Sequence, residues 1–305
     1  MIFPSLSAPR FALLAALVGL LVPGIGSAET FRFDWPLQVP VGVVAAITGA
    51  GNTSTASYSV DLSADSDDEL TLNFRDFQFL TLNGVDAREI EVTKKLGPLA
   101  ALNQLPSMRL SKSGAYRGTF GIEQQIKGFL EQAPASRDDP QRKKLEGYFR
   151  SPEVQALVRQ KSAETANIWN TWVGAWNGLE LAPGQTVSAI VPITLMQREV
   201  RQSVLIEHLG TVGKNCPTCV HLRMTTVIDG PEVLALLGGL ARSADDDASF
   251  GEFVSARSMS VTEVFTEAAS LMPIYAMTNS EVLLRDEDDK TRTEQARKEY
   301  WFEWR

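Results

Sequence analysis

One long amphipathic segment, set between two blocks of residues that alternate at every second position, constrains this chain more than any other feature. Across 152–177, Val154, Leu157, Val158, Thr165, Trp169, Trp172, Val173 and Trp176 form an apolar stripe at helical spacing. Ser151 is placed to accept a bond from an orphan backbone N–H, and Pro152 lacks the N–H that would go unpaired. Glu153 suits the positive end of the helix, and Gly178 stops it. A helix of this length runs about 39 Å, enough to cross a broad sheet.

On both sides the period falls to two. Phe31, Phe33 and Trp35 alternate with polar residues until Pro36, which predicts a half-buried strand. Tyr58, Val60 and Leu62 share one face of 56–63, and Leu70, Leu72 and Phe74 share one face of 70–82. Phe77 and Phe79 fall on the other parity, which predicts a bulge near Asp76 or a strand buried on both faces. Segments 108–110 and 116–120 flank Ser111-Lys112-Ser113-Gly114, a hairpin with Gly114 free to take positive φ.

Beyond the helix, 186–191, 200–209, 219–228, 253–265, 274–277, 282–284 and 300–305 read as strands. Of these, 200–209 and 219–228 are expected to pair antiparallel. The terminal strand puts Tyr300, Phe302 and Trp304 on one face and Trp301 on the other. Shorter helices are expected over 122–132, from Asp139-Pro140, and from Pro231 through Leu237. The expected fold class is α+β, a large curved antiparallel sheet or half-open β-barrel packed against a long central helix. It forms a single domain over 29–305. Two β-rich halves, 29–135 and 179–305, bridged by helices over 121–177, are the alternative division.

Residues 1–28 stand apart as an export signal. Arg10 supplies a positive start, Phe11 to Val22 a continuous apolar run, and Gly26-Ser27-Ala28 a small-residue cleavage site. The run is shorter than the roughly 20 apolar residues a membrane span needs. Cleavage after Ala28 is expected, giving a periplasmic or secreted chain with no transmembrane segment. The sequence is 44% hydrophobic and 22% charged, the balance of an ordinary globular protein.

With 29 Lys+Arg against 37 Asp+Glu, the net charge of −8 points away from nucleic acid and from anionic membrane surfaces. The acidic runs at 65–69, 245–247 and 286–289 lie between apolar segments, where solvated turns belong. None has the spaced ligands and central glycine of an EF-hand loop.

Asn215-Cys216-Pro217-Thr218-Cys219-Val220-His221 is the segment richest in chemistry. In an exported chain Cys216 and Cys219 are expected to form a disulfide. A redox role needs a lowered thiol pKa, usually from a helix N-terminus, and Cys219 leads into a strand instead. The only two histidines, His208 and His221, lie near the cysteines in sequence, and together the four make a Cys2His2 set that can hold zinc. The spacing matches no recognised finger pattern, so the histidines read as strand-end residues and no metal or cofactor is assigned.

No G-x-S-x-G, H-E-x-x-H, phosphate-loop or dinucleotide fingerprint occurs in the mature chain. Glu263 and Glu267 lie four apart on one strand and read as solvated residues rather than a paired-acid site. No catalytic residue is assigned. The expected function is non-catalytic: an exported binding or carrier protein with an apolar cavity or groove for a lipid-like ligand or a protein segment. Trp169, Trp172, Trp176, Phe74, Phe265 and Tyr275 are the candidate binding residues. The alternatives are a structural or envelope-assembly protein with a filled core, in which the tryptophans are packing, and an unrecognised hydrolase.

Overall fold

The computed structural model describes residues 28–49, 51–87, 105–121, 147, 162–195, 198–213, 216–229, 233–234 and 253–305, with backbone alone at 194, 195 and 198. Residues 1–27 of the expected export signal, the helices expected over 122–132 and from Asp139, the start of the long helix at 152–161, and the acidic run 245–247 lie outside the described residues. Of the helix expected from Pro231, positions 233 and 234 are described and are helical.

Among the described residues fourteen strands follow one another. They are β1 Glu29–Thr30, β2 Val41–Gly49, β3 Asn52–Ala64, β4 Glu69–Leu82, β5 Val85–Asp86, β6 Ser107–Ser111 and β7 Tyr116–Phe120. After the helix come β8 Glu180–Leu181, β9 Thr186–Leu195, β10 Arg198–Thr211, β11 Cys219–Asp229, β12 Phe253–Glu267, β13 Pro273–Asp286 and β14 Thr291–Trp304. Twelve make one sheet in the order β7-β6-β4-β3-β2-β14-β13-β12-β11-β10-β9, with β5 beside β4. Every pairing in it is antiparallel. The β2–β14 ladder, Val41 opposite Trp304 through Gly49 opposite Ala296, joins the two β-rich halves into this one sheet.

The sheet curves around the helix α1, helical over 162–169 and continued by a π turn at Asn170–Gly174. Ser162 bonds Thr119 on β7, and Thr171 bonds Thr278 on β13. On a flat sheet those two strands would lie about 29 Å apart, at about 4.8 Å per neighbour. The two helix residues are separated by only about 14 Å of rise. A flat sheet cannot meet both, so the strands wrap the helix. This is the α+β arrangement of a large antiparallel sheet against one helix that the sequence periodicities imply.

The stripe of α1 faces the concave side. Trp169, Trp172 and Trp176 are fully buried and share one apolar core with Val43, Tyr58, Val60, Leu62, Leu72 and Phe74 on one flank. Val204, Ile206, Leu222, Val264, Tyr300 and Phe302 complete it on the other. The indole of Trp169 donates to the Gly114 carbonyl at 2.9 Å, tying the helix to the β6–β7 turn, where Gly114 has the expected positive φ of 81°. A smaller second core, Ile193, Val200, Ile228, Val233, Ala256 and Leu284, lies toward the far ends of β9–β13.

Two local expectations are corrected. Phe31, Phe33 and Trp35 are buried as their alternation implies, but they pair with no strand. Their backbone is satisfied by the end of the helix: Phe31 exchanges bonds with Leu179 and Gly178, and the Phe33 N–H donates to Asn177 Oδ1 at 3.0 Å. The segments 274–277 and 282–284 are one strand, β13, because Thr278, Asn279, Ser280 and Glu281 keep the ladder to β12 and β14 unbroken. The bulge foreseen near Asp76 is present, with Asp76 at φ 56° and a register shift between Ser57 and Ser59.

Candidate functional site: the concave groove beside the helix

Directly opposed residues on neighbouring strands share a face, so the ladders can be followed across the sheet as rows. One row runs Leu222, Val264, Ala276, Tyr300, Ala45, Ala56. All six lie buried under α1 and its tryptophans. The next row on the same face, two residues along each strand, runs Met224, Thr262, Thr278, Lys298, Ile47, Ser54. Here the cover thins: Thr262 is still buried, but Ile47 is 37% exposed, and Met224, Thr278, Lys298 and Ser54 are partly accessible. Thr226, Ser260, Ser280 and Ala296 form a further row, before the second core begins. Among the described residues, the concave face is therefore filled by tryptophan in one part and less covered in the stretch between the two cores.

The open stretch is mixed: Met224 and Ile47 stand among Thr262, Thr278, Lys298 and Ser54, and the further row is Thr226, Ser260, Ser280 and Ala296. The Asp76 bulge returns Phe77 and Phe79 to the concave side beside the covered rows, Phe79 opposite Ala56, and Phe77 stacked with Tyr58 at 6.3 Å and edge to face with Phe79 at 5.0 Å. Both rings are partly exposed. At the border with the helix, Lys298 Nζ lies 3.5 Å from Glu164 Oε1. Burial pushes the Tyr58 and Tyr300 hydroxyls up, and the nearby Glu164 carboxylate adds to this in both. Thr278 links Thr262 at 3.2 Å to Thr171 of the helix at 3.4 Å.

The candidate binding residues divide between the two faces. Trp169, Trp172, Trp176 and Phe74 come together in the core, Trp172 and Phe74 with ring centroids 6.3 Å apart. Phe265 and Tyr275 lie on the convex face, in a row with His221 and Trp301. His221 stacks on Phe265 at 4.1 Å, Phe265 meets Tyr275 at 5.6 Å, and Tyr275 meets Trp301 at 5.6 Å. Trp301 is 42% exposed. The structure thus does not bring the six residues into one site. Ile47, Met224, Thr278 and Lys298, which lie in the open row, were not among them.

The cysteine pair is a disulfide between Cys216 and Cys219. The two histidines lie on opposite faces of the sheet. His221 Nε2 is 3.1 Å from Glu263, which also accepts from Arg223 Nε at 2.8 Å. His208 is buried on the concave side, edge to face with Phe31 at 5.6 Å, and neither ring nitrogen has a hydrogen-bond partner. The disulfide and this separation leave no converging Cys2His2 set. Glu267 accepts from Ser270 and Thr218 and lies four residues along the strand from Glu263, so the two carboxylates serve separate neighbours. Among the described residues no helix is long and apolar enough to cross a membrane.

No protein-family model matches the chain, and no curated protein matches it. Among solved structures, lipovitellin, in a structure of its lipid–protein interactions, is distantly similar over 87% of this chain, with 9% identity and a TM-score of 0.41. The match covers 25% of that protein, so the chain spans about a quarter of its length. An outer membrane channel from Pseudomonas putida F1 gives 7% identity and a TM-score of 0.15 over 93% of this chain and 100% of that one. At these scores neither likeness bears on function.

Proposed function

We propose that this is an exported, non-catalytic binding protein that holds a lipid-like amphiphile in the concave groove between α1 and the second core. The observation that carries the reading is the loss of cover along β14 and β2 among the described residues. Tyr300 and Ala45 are buried, and two residues further along the same strands Lys298 and Ile47 are accessible. Ile47 and Met224, with the partly exposed Phe79 ring at the border of the covered row, offer apolar contact to a chain. Lys298 and the partly accessible Thr278 offer a polar end to a headgroup, so apolar contacts and polar anchors stand side by side for an amphiphile. Export rests on the signal at 1–28, and N-terminal sequencing of secreted material should begin at Glu29.

The binding claim is tested by titrating a dansyl-labelled fatty acid into the mature chain and its Ile47→Asp variant. Saturable binding that Ile47→Asp removes supports the groove. A structural or assembly role is the second reading, favoured by the exposed Trp301 at the end of the convex aromatic row. Absence of any lipid binding by the wild-type chain leaves that role standing.

A further inference from the structure

Among the described strands, the two edges of the large sheet are built differently. The β7 edge is five residues long, carries Arg117 and has Gly118 at φ 149°, features that blunt an edge against further pairing. The β9 edge is ten residues, TVSAIVPITL, without one ionisable side chain. Val187, Val191 and Ile193 turn inward to the two cores. Thr186, Ser188, Ile190 and Pro192 turn outward, and Ile190 is 69% exposed.

The ladder to β10 shows which backbone groups are free. The His208 N–H donates to the Gln185 carbonyl at 3.0 Å, and the same register continues as Val187 opposite Ile206, Ala189 opposite Val204 and Val191 opposite Gln202. Bonded and non-bonded pairs alternate in an antiparallel ladder. The odd positions therefore bond to β10, and the N–H and C=O groups of Thr186, Ser188 and Ile190 point away from the sheet. Pro192 belongs to the same outward set and, lacking an N–H, ends the row of donors.

We propose that this edge pairs antiparallel with β9 of a second copy of the chain, about a two-fold axis at Ser188. In that register Ser188 meets itself, and Thr186 meets Ile190 of the second copy, each pair exchanging two N–H···O bonds. Pro192 falls opposite Gly184, past the end of the ladder. The absence of charge is what selects a second copy. In a two-fold pairing an ionisable residue at the axis would face its own like charge, and in a chain that is 22% charged β9 has none. The exposed Ile190 gains a β-branched neighbour in Thr186. The pairing is independent of the groove reading, since it uses only the outer edge of β9.

Sedimentation equilibrium of the mature chain tests it. The wild type should sediment at twice the chain mass. Ser188→Lys and Ser188→Glu, each placing like charges face to face at the axis, should sediment as monomers with unchanged far-ultraviolet circular dichroism. An equimolar mixture of the two should recover the dimer mass, because Lys then faces Glu. A wild type that is monomeric at every concentration, a Ser188→Lys chain that dimerises as the wild type does, or a mixture that stays monomeric would each overturn the proposal.

Discussion

Trp172 on the helix meets Phe302 on the last strand edge to face, with ring centroids 4.9 Å apart and planes at 86°. Tyr300 approaches the same indole at 5.4 Å in the same manner. Phe302 and Tyr300 are thus locked onto the π turn that ends the helix, and the strand that carries them, β14, is the one that joins the two halves of the sheet. Edge-to-face pairs of this kind add about 0.5–1.5 kcal/mol each beyond the area they bury.

Replacing Trp172 with Ala should therefore destabilise the fold by about 3–5 kcal/mol, the usual range for a large buried ring. Its Nε1 has no hydrogen-bond partner, so Trp172→Phe loses volume but also removes an unpaired buried donor, and it should be markedly milder. Urea unfolding of both variants measures the difference. Equal losses would show that the ring volume is not what holds the helix to β14.

Much of this core was legible because helix and strand periods are local properties. The stripe of Trp169, Trp172 and Trp176, the face shared by Tyr300, Phe302 and Trp304, the Gly114 turn and the Asp76 bulge all follow from spacing within one element. The groove was not legible, because it depends on which face of each strand becomes concave and where the helix stops covering it. Phe265 and Tyr275 sit on strands whose other face is buried, and parity alone does not say which side meets α1. Only the register, with Phe265 beside His221 and Tyr275 beside Trp301, sets them on the convex side. Phe31, Phe33 and Trp35 misled for the opposite reason, since an alternating pattern is satisfied by any extended segment buried on one side.

His208 offers a second test of the concave core. Both ring nitrogens are buried and unpaired, and an unsatisfied buried polar group costs about 1–3 kcal/mol. His208→Phe keeps a flat ring against Phe31 and removes both nitrogens, so its thermal midpoint should rise. A lower midpoint would show that the nitrogens contribute to stability in the folded protein.

Acid and alkali should act through one cluster on the convex face. Tyr275 donates to Glu299 at 2.6 Å, and Arg297 donates to the same carboxylate at 2.8 Å. The Arg297 bond holds the Glu299 carboxyl below its ordinary value. Its contribution is fully present above the unfolded carboxylate pKa of about 4.3 and is lost as pH falls through the lowered folded value. Burial, and then the bond to Glu299, push the Tyr275 hydroxyl up to about 12. Its contribution is complete below the unfolded value of about 10 and is lost as pH rises from there toward 12. Unfolding free energies across pH should show Glu299→Gln flattening the acid limb and Tyr275→Phe the alkaline limb. Limbs that match the wild type in both variants would contradict this assignment.

The groove itself is tested most directly by energy transfer from the buried tryptophans of α1 to a dansyl-labelled fatty acid, which reads occupancy beside Trp172. The wild-type chain should show saturable transfer, Trp301→Ala on the convex face should match it, and Ile47→Asp should abolish it while remaining folded. Transfer that survives Ile47→Asp, or a wild-type chain that shows none, would contradict a lipid-binding groove on the concave face.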